Sequence, residues 1–202
     1  MTTRSLIFVL AAALAPLTPA PARAADAGAA ATAQSLCDAL LASMKQGSAL
    51  DFKGREALLA PEVKKDFDLG FMTRIVVGPP WRTISADDQR QLTEAFTDYS
   101  IATYAQEFAS YSNDRFEVDP KPAAMGNNTV VHTKFYPGGG AAVELDYVMR
   151  QEDGAWRIID VYLNGSISQM AARRSEYSTT LREGGAPALI ALLKKKTAEL
   201  GG

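Results

Sequence analysis

The sequence has only one cysteine, Cys37, and only one histidine, His132. A single cysteine excludes an internal disulfide, so the fold must be held together by packing even in an oxidising compartment. With neither a second histidine nor a second cysteine available, His132 cannot anchor a zinc or copper site of the usual kinds. We interpret Cys37 as a small helix residue, not a nucleophile, and we expect no cofactor.

The chain also lacks an excess of charge of one sign. Its 202 residues include 21 basic and 23 acidic side chains, which gives a formal net charge of -2. This balance provides no general electrostatic attraction to nucleic acid or to an anionic membrane. Nucleic acid is therefore not an expected partner, and binding to a membrane would require a local basic patch.

Hydrophobic runs long enough to cross a bilayer comfortably are missing as well. The run Leu6–Leu17 follows the basic Arg4 and precedes the small-residue motif Ala22-Arg23-Ala24. This order predicts a cleaved secretory signal peptide over residues 1–24, with an uncleaved anchor as the alternative. We expect residues 25–202 to form one domain that functions outside the cytoplasm.

What the sequence does contain, in its first half, is apolar residues at helical spacing. The hydrophobic fraction of 47% is sufficient for a substantial core. The alanine-rich residues 25–34 are expected to form a loose N-terminus. After them, the spacing predicts a helix through Leu36, Leu40, Leu41 and Met44 that stops at Gly47, and helices over residues 55–67 and 71–77, the latter ended by Gly78-Pro79-Pro80.

The longest predicted helix begins at Ser85, which is placed as an N-cap with Asp88 three residues later. An apolar and aromatic stripe follows it, comprising Leu92, Phe96, Tyr99, Tyr104, Phe108 and Tyr111. This pattern is typical of an amphipathic helix of about seven turns. The stripe is wider than a minimal core seam, so its residues either pack in the core or line a ligand cavity.

After Tyr111 the apolar period changes to two, which predicts four antiparallel strands followed by two helices. In the third strand Val143, Leu145, Tyr147 and Met149 share one face, and Glu144, Asp146 and Arg150 share the other, which we expect to be mostly wet. The fourth strand is apolar on both faces, since Trp156, Ile158 and Tyr162 alternate with Ile159, Val161 and Leu163. The strands cover residues 116–118, 129–136, 142–151 and 155–163, and the helices cover residues 167–181, ended by Gly184-Gly185, and 187–200. The predicted fold class is α+β, with a four-stranded antiparallel sheet packed against several helices.

Few residues suggest catalysis, and we predict no catalytic residue. No G-x-S-x-G motif is present, and the Pro137-Gly-Gly-Gly140 segment joins two strands without opening a helix, so it is interpreted as a hairpin connection. Asp160 interrupts an apolar strand, and a buried carboxylate needs a partner. We expect that partner to be Arg174 or a backbone amide. The alternative is a small cavity enzyme, an isomerase or dehydratase, that uses Asp160 or His132 for proton transfer.

Between Phe67 and Leu193 the chain resembles the MlaC family of periplasmic lipid-binding proteins, also called the toluene-tolerance family. The residues that carry this resemblance are Phe67-Asp68, Met72, Arg74, Gly78, Trp81-Arg82, Phe96, Tyr104, the strand Trp156-Arg-Ile-Ile-Asp-Val161, Gly165, Ser168, Arg174, Tyr177 and Gly184-Gly185. The run from Asp160 to Ser168, with Ala171–Glu176, is most similar to the HpnM branch, which is associated with hopanoid biosynthesis. Tyr177 is a departure from that branch, which favours phenylalanine at this position.

The resemblance implies a periplasmic carrier that serves a transporter moving lipids between bacterial membranes, with a hopanoid or a phospholipid as its ligand. Such a protein needs an apolar cavity closed by helices over one face of the sheet, and membrane-embedded transport proteins as partners. The basic clusters Arg173-Arg174 and Lys194-Lys195-Lys196 would then be solvated helix faces, docking sites or contacts to an acidic headgroup. A filled interior would instead favour an interaction module. The expected lipid-binding residues are Val76, Phe96, Tyr99, Tyr104, Phe108, Val143, Leu145, Tyr147, Met149, Ile158, Tyr162 and Met170.

Overall fold

The computed structural model describes residues 22–202. The predicted signal peptide, residues 1–24, lies outside this range except for its last three residues, so it stays a prediction. Five helices and seven strands make up the described chain. The helices are α1 (Ala22–Gln46), α2 (Phe52–Asp66), α3 (Leu69–Val77), α4 (Ala86–Glu107) and α5 (Gln169–Gly201), with 3-10 turns at Gly47–Ala49 and Pro79–Arg82.

Polar side chains begin four of these helices by accepting a backbone N–H that has no partner within the helix. Asp51 accepts from Gly54 at 2.7 Å before α2, and Asp68 accepts from Phe71 at 2.9 Å before α3. The predicted cap of α4 is confirmed, because the Ser85 hydroxyl accepts the Asp88 N–H at 3.0 Å. Ser168 caps α5 in the same way through the N–H of Ala171, at 3.0 Å.

The expectation of a loose N-terminus over residues 25–34 was wrong. Helix α1 already covers them, and Ala29 and Ala33 are fully buried. The small residues permit a close approach to the sheet, since a Cβ atom on Gly28 would lie only 2.8 Å from Cδ1 of Trp156. Alanine and glycine here indicate close packing between α1 and β6, not a lack of structure.

The other helices follow the predicted pattern, with corrections at their ends. Helix α4 stops at Glu107, so Tyr111 falls outside it and is 41% exposed. Helix α5 is interrupted at Gly185, where φ is 63° and ψ is -159°, so the predicted pair of terminal helices is confirmed. A side chain would be strained at that φ, which is why glycine occupies the kink.

The α+β class is confirmed, but the four-stranded sheet was wrong, because seven antiparallel strands are present. The predicted strand over residues 129–136 is broken at His132, whose carbonyl accepts the N–H of Asp119 at 2.9 Å. Its two halves lie one after the other along the same edge of β5. The strands are β1 (Arg115–Val118), β2 (Ala123–Met125), β3 (Asn128–Val131), β4 (Thr133–Tyr136), β5 (Val143–Glu152), β6 (Ala155–Leu163) and β7 (Ile167–Ser168).

In this sheet β1 pairs with β4 and β2 pairs with β3, while β6 pairs with the other edge of β5 and then with β7. The face of β5 that was expected to be mostly wet is partly buried. Glu144 is exposed, but Asp146 is only 8% exposed and lies 3.1 Å from Nδ1 of His132. Because that contact pairs the carboxylate with an imidazole, the carboxylate tolerates its partial burial.

A β-bulge in β6 explains why the sequence of this strand has apolar residues on both of its predicted faces. Met149 is opposite Ile158 and Val148 is opposite Asp160, so Ile159 is an extra residue between the two pairs. After the bulge the alternation is inverted. Val161 and Leu163 therefore share the face of Trp156 and Ile158, and Tyr162 lies on the opposite face with Asp160.

The core lies between the helices and the face of the sheet that carries Tyr147, Met149 and Ile158, each at most 1% exposed. Cys37 of α1 is 1% exposed in this core, and burial raises the pKa of its thiol to about 12. The predicted placement of Cys37 in a helix is confirmed, and burial disfavours the reactive thiolate. Among residues 22–202, no helix has both the length and the apolar character needed to cross a bilayer.

Asp66, at the end of α2, is a buried carboxylate with an incomplete set of partners. It is 1% exposed, its Oδ1 lies 3.7 Å from Nζ of Lys65, and its Oδ2 has no hydrogen-bond partner among the described residues. Burial, reinforced by the nearby charge of Glu62, raises the pKa of Asp66 from 3.8 to about 7. Folding therefore favours the protonated acid at this position.

We predict that Asp66 makes the protein less stable as the pH rises from about 4 to about 7. In this window the folded state retains a proton that the unfolded state has released, so deprotonation at higher pH is penalised only in the folded state. In Asp66→Asn the loss of stability between pH 5 and pH 8 should be smaller by about 2 kcal/mol, measured by urea unfolding. The control Asp153→Asn, in an exposed turn, should keep the wild-type dependence, and an unchanged pH profile in Asp66→Asn would refute the assignment.

Candidate functional site

A cavity of about 150 Å³ lies between the sheet and helices α3, α4 and α5. It is partly open to the surface, and most of its walls are apolar. Its lining residues are Phe67, Met72, Ser100, Thr103, Tyr104, Glu107, Phe108, Leu145, Tyr147, Val161, Leu163, Gln169, Met170 and Arg173. An apolar cavity with a few polar groups on one side is typical of a small-molecule binding site.

Aromatic rings form the wall on the side of α4. Tyr104 lies 5.5 Å from Phe67 and 5.8 Å from Phe108, measured between ring centroids, and the rings of Tyr104 and Phe108 are nearly parallel. Phe108 also meets Phe135 edge-on at 5.5 Å, and Phe135 contacts Phe116 at 4.8 Å. These contacts are in the range that favours aromatic pairs, so they hold the wall in one arrangement.

The sheet supplies the floor, and the bulge at Ile159 determines which residues form it. Leu145 is opposite Leu163 and Tyr147 is opposite Val161, so two adjacent cross-strand pairs face the cavity. Without the extra residue, Val161 and Leu163 would point to the other face. The floor therefore depends on the irregularity in β6.

Contacts of β6 also position the two remaining walls. Phe67 forms an isolated bridge with Ile158, and the N–H of Asp68 donates to the Ile158 carbonyl at 2.9 Å, which places Phe67 and the start of α3. The carboxylate of Asp68 is fixed in turn by Arg150, whose Nε donates to it at 3.0 Å. One strand thus fixes both the floor and the wall carrying Phe67 and Met72.

Asp160 holds the opposite wall by anchoring α5. Its Oδ1 accepts the N–H groups of Val161 at 2.7 Å and Met170 at 3.1 Å, and its Oδ2 accepts the hydroxyl of Ser168. The expected backbone partner is therefore confirmed. The expected partner Arg174 was wrong, because its guanidinium packs against Gly78 instead. Asp160 does not line the cavity and acts as an anchor for the first turn of α5.

Polar side chains gather on the remaining side of the cavity, which we call the rim and define as Ser100, Thr103, Glu107, Gln169 and Arg173. Both hydroxyls donate back into α4, Ser100 to the Phe96 carbonyl at 2.7 Å and Thr103 to the Tyr99 carbonyl at 2.8 Å. Burial raises the pKa of Glu107, although the positive charge of Arg173 opposes this shift. The hydroxyls of the rim are therefore left as acceptors, because their protons are already used.

Five of the expected lipid-binding residues line this cavity, namely Tyr104, Phe108, Leu145, Tyr147 and Met170. Four others, Val76, Phe96, Met149 and Ile158, do not line it and are at most 1% exposed. Tyr99 lies beneath the guanidinium of Arg173, Val143 precedes the floor on β5, and Tyr162 is on the opposite face of the sheet. The bulge is the reason for the displacement of Tyr162.

Several lining residues were not among those expected. Regular alternation grouped Val161 and Leu163 with Ile159, opposite Ile158 and Tyr162, whereas the bulge places them on the face of Ile158. A bulge leaves no signal in the apolar period. Phe67 and Met72 come from the junction of α2 and α3. Their position beside the sheet depends on tertiary contacts that the local sequence pattern does not reveal. Arg173 was recognised as basic, but nothing in the sequence distinguished it from Arg174.

The two candidate proton-transfer groups do not meet at the cavity. His132 is exposed on the other side of the sheet beside Asp146, and Asp160 is occupied by α5. Within residues 22–202, no three histidine, cysteine or acidic side chains are grouped so that they could hold a metal ion. The described arrangement is suited to holding an apolar molecule.

Comparison with known proteins gives a family and a structural neighbour. The MlaC protein family matches residues 34–195, so the chain belongs to this family. A phospholipid-binding protein from Ralstonia solanacearum, solved in complex with a phospholipid, is similar in structure, with a TM-score of 0.75 and 24% sequence identity. The similarity covers 87% of this chain and all of the Ralstonia chain. Comparison with curated protein sequences gives no match.

We predict that Asp160→Ala destabilises the protein by about 1–3 kcal/mol, because two backbone N–H groups and the Ser168 hydroxyl lose their acceptor. The change in unfolding free energy can be measured by urea denaturation. The matched control is Asp38→Ala, which removes an exposed carboxylate of α1 bonded to Gln34 and should shift stability by at most about 0.5 kcal/mol. Equal stability of the two variants would contradict an anchoring role.

Proposed function

We propose that this member of the MlaC family is a periplasmic carrier that binds a hydrophobic lipid and moves it between membranes as the exported component of a lipid transport system. The observation that carries this proposal is the apolar cavity between the sheet and helices α3, α4 and α5. The lipid held by the Ralstonia protein of similar fold supports it. Transfer of a lipid through water requires such shelter and no catalytic group.

The energetics of burial make this role physically reasonable. Each methylene group removed from water contributes about 0.8 kcal/mol, so one long acyl chain is worth on the order of 10 kcal/mol before ordering costs. The walls and floor contribute the aromatic and aliphatic surface that this burial needs. The cavity supplies shape and an apolar environment, and binding requires no covalent chemistry.

At about 150 Å³ the cavity is smaller than the range of about 300–1,000 Å³ that is usual for ligand pockets. A lipid therefore has to widen it on entry. Met72 and Met170 line the cavity from α3 and α5, and unbranched methionine side chains repack at low cost. We therefore expect the cavity to expand around a lipid that is larger than its own volume.

Two lipid classes fit the proposal. A phospholipid agrees with the ligand of the Ralstonia protein. A hopanoid agrees with the resemblance of residues 160–176 to the HpnM branch. Membrane-embedded transport proteins are the proposed partners. Exposed Lys194 is available on α5 to contact them, whereas Lys195 lies 3.7 Å from Glu199 and Lys196 pairs with Glu176 at 2.6 Å.

The enzyme hypothesis has less support, because its two candidate residues lie away from the cavity. An isomerase or dehydratase would need His132 or Asp160 beside the bound substrate. His132 is on the outer face of the sheet and Asp160 accepts hydrogen bonds from the start of α5. The interaction-module hypothesis predicts a protein that is empty as isolated and takes up no lipid from vesicles.

We expect the purified protein to carry extractable lipid, detected by native mass spectrometry and by analysis of the organic extract. After removal of that lipid, it should take up lipid from vesicles of phosphatidylethanolamine and phosphatidylglycerol, prepared with and without a hopanoid. Separation of protein from vesicles by flotation gives the bound amount. A protein that is empty as isolated and takes up nothing from either vesicle would rule out the carrier and favour an interaction module.

A substitution that fills the cavity should block uptake. Leu145→Trp places a bulky indole ring on the floor in place of an aliphatic side chain. We expect lipid uptake to fall by about tenfold while the protein stays folded, because Leu145 is not fully enclosed. The matched control is Val143→Trp, two residues away on the same face of β5 but outside the cavity. Uptake by flotation and thermal unfolding are measured for both variants, and equal uptake would show that the lipid binds elsewhere.

A further inference from the structure

Arg173 is a half-buried cation in the lining of an otherwise mostly apolar cavity. It lies in the second turn of α5, and its guanidinium is 4.9 Å from the ring centroid of Tyr99 on α4. Its Nη1 donates to the hydroxyl of Tyr177 at 3.4 Å. Helix α5 therefore carries one positive charge toward the rim.

No carboxylate oxygen of the described residues lies within 4 Å of the Arg173 nitrogens. Two other half-buried arginines have stronger acceptors. Arg150 binds the carboxylates of Asp68 and Glu152, and Arg55 donates to the carbonyls of Leu50 and Ala105 at 2.9 Å each. Arg173 is thus placed in the cavity wall with most of its five N–H donors available.

Removing a cation from water is unfavourable unless it is paired or hydrogen-bonded. The contact with the face of Tyr99 compensates only part of that penalty. The carboxylate of Glu107 belongs to the same rim, but its oxygens lie more than 4 Å from the Arg173 nitrogens. It therefore reduces the local positive charge without forming an ion pair with the guanidinium. A ligand that brings its own anionic group would complete the environment of Arg173.

The other groups of the rim do not compete for that role. Ser100 and Thr103 use their protons on carbonyls of α4, and the amide of Gln169 is directed at the Ile167 carbonyl at 3.4 Å. Arg173 is therefore the principal source of free donors in the rim. A guanidinium presents two parallel N–H groups that match two oxygens of a phosphate.

We propose that Arg173 binds the phosphate of a phospholipid headgroup at the rim while the acyl chains occupy the cavity. This inference rests on the proposed carrier function and selects the phospholipid over an uncharged hopanoid. An uncharged lipid would bury the same hydrocarbon but would leave the guanidinium without an anionic partner. Selectivity thus resides in one side chain, and hydrocarbon burial supplies the general affinity.

The experiment compares Arg173→Gln with its neighbour Arg174→Gln, whose parent side chain is exposed and packs against Gly78. Delipidated protein is loaded from vesicles of phosphatidylethanolamine and phosphatidylglycerol, or from vesicles that also contain diacylglycerol, which has the same chains without the phosphate. We expect Arg173→Gln to bind about tenfold less phospholipid, as for loss of a charge-assisted hydrogen bond, and to bind diacylglycerol like the wild type. Arg174→Gln should match the wild type for both lipids.

Each outcome decides a different question. Equal phospholipid loading in Arg173→Gln and Arg174→Gln would overturn the headgroup contact but leave the carrier function intact. No loading of either lipid by the wild type would remove the carrier function itself. A titration of the wild type with inorganic phosphate alone separates a free anion from a headgroup. Saturable phosphate binding together with unchanged phospholipid loading in Arg173→Gln would also overturn the proposal.

The comparison remains decisive if Arg173→Gln fails to fold, which thermal unfolding will reveal. In that case Arg173→Lys keeps the charge but loses the paired donors, and it should bind phospholipid less well than the wild type. The wild type itself provides a second measurement, because it should prefer phospholipid over diacylglycerol when both are offered at equal mole fraction. A wild type that takes up the two lipids equally would contradict the proposal.

Discussion

One extra residue in β6 is the constraint on which the rest of the site depends. Ile159 inverts the alternation of the strand, so that Val161 and Leu163 face the helices while Asp160 faces away from them. Asp160 is then free to accept the N–H of Met170 in the first turn of α5, and α5 presents Met170 and Arg173 to the cavity. Immediately before the bulge, Ile158 holds Phe67 and Asp68. Three consecutive residues therefore position the floor and two walls.

The same arrangement explains why the interior contains a void. The floor and the walls are fixed by backbone contacts and capped helix ends, which set the distances between elements independently of how well the side chains between them fill the space. Elsewhere the helices close on the sheet with fully buried residues such as Met149 and Leu36. At the cavity the facing groups are rings and rim side chains of different lengths, so packing is incomplete there. The void is a consequence of the anchoring, and it lies where α3, α4 and α5 converge.

Much of the fold was predictable because it depends on local signals. Ser85 with Asp88 marked the start of α4, Gly78-Pro79-Pro80 marked the end of α3, and Gly184-Gly185 marked the kink in α5. The features that could not be predicted depend on contacts between distant parts of the sequence. The small residues of α1 are explained by close packing against Trp156, and the break at His132 depends on its hydrogen bond with Asp119 of a neighbouring segment. β2 and β7 are too short to show a period.

The candidate site was predictable to a smaller extent, for the same physical reason. Aromatic residues of α4 and the regular strand β5 identified Tyr104, Phe108, Leu145 and Tyr147, because a regular element determines which residues share a face. Its remaining residues come from a bulged strand, a helix junction and one side of α5, whose orientation depends on tertiary contacts. Arg173 and Arg174 are adjacent in sequence, yet one enters the cavity wall and the other lies against Gly78. Consecutive residues of a helix point in different directions, and the anchor at Asp160 helps to set which side of α5 faces the cavity.

Under the proposed function, the small volume of the cavity has a consequence, because a carrier must both take up and release its ligand. Burial of an acyl chain alone would contribute on the order of 10 kcal/mol, a gain that would make release into a membrane slow if it were not opposed. Displacing the aromatic wall to widen the cavity would oppose it, because Tyr104 would lose its ring contacts with Phe67 and Phe108. These contacts would re-form when the lipid leaves, so the net free energy of binding would be smaller than the gain from burial alone. An expandable site would therefore hold hydrocarbon reversibly, and a fixed, preformed cavity of full size would not share this property.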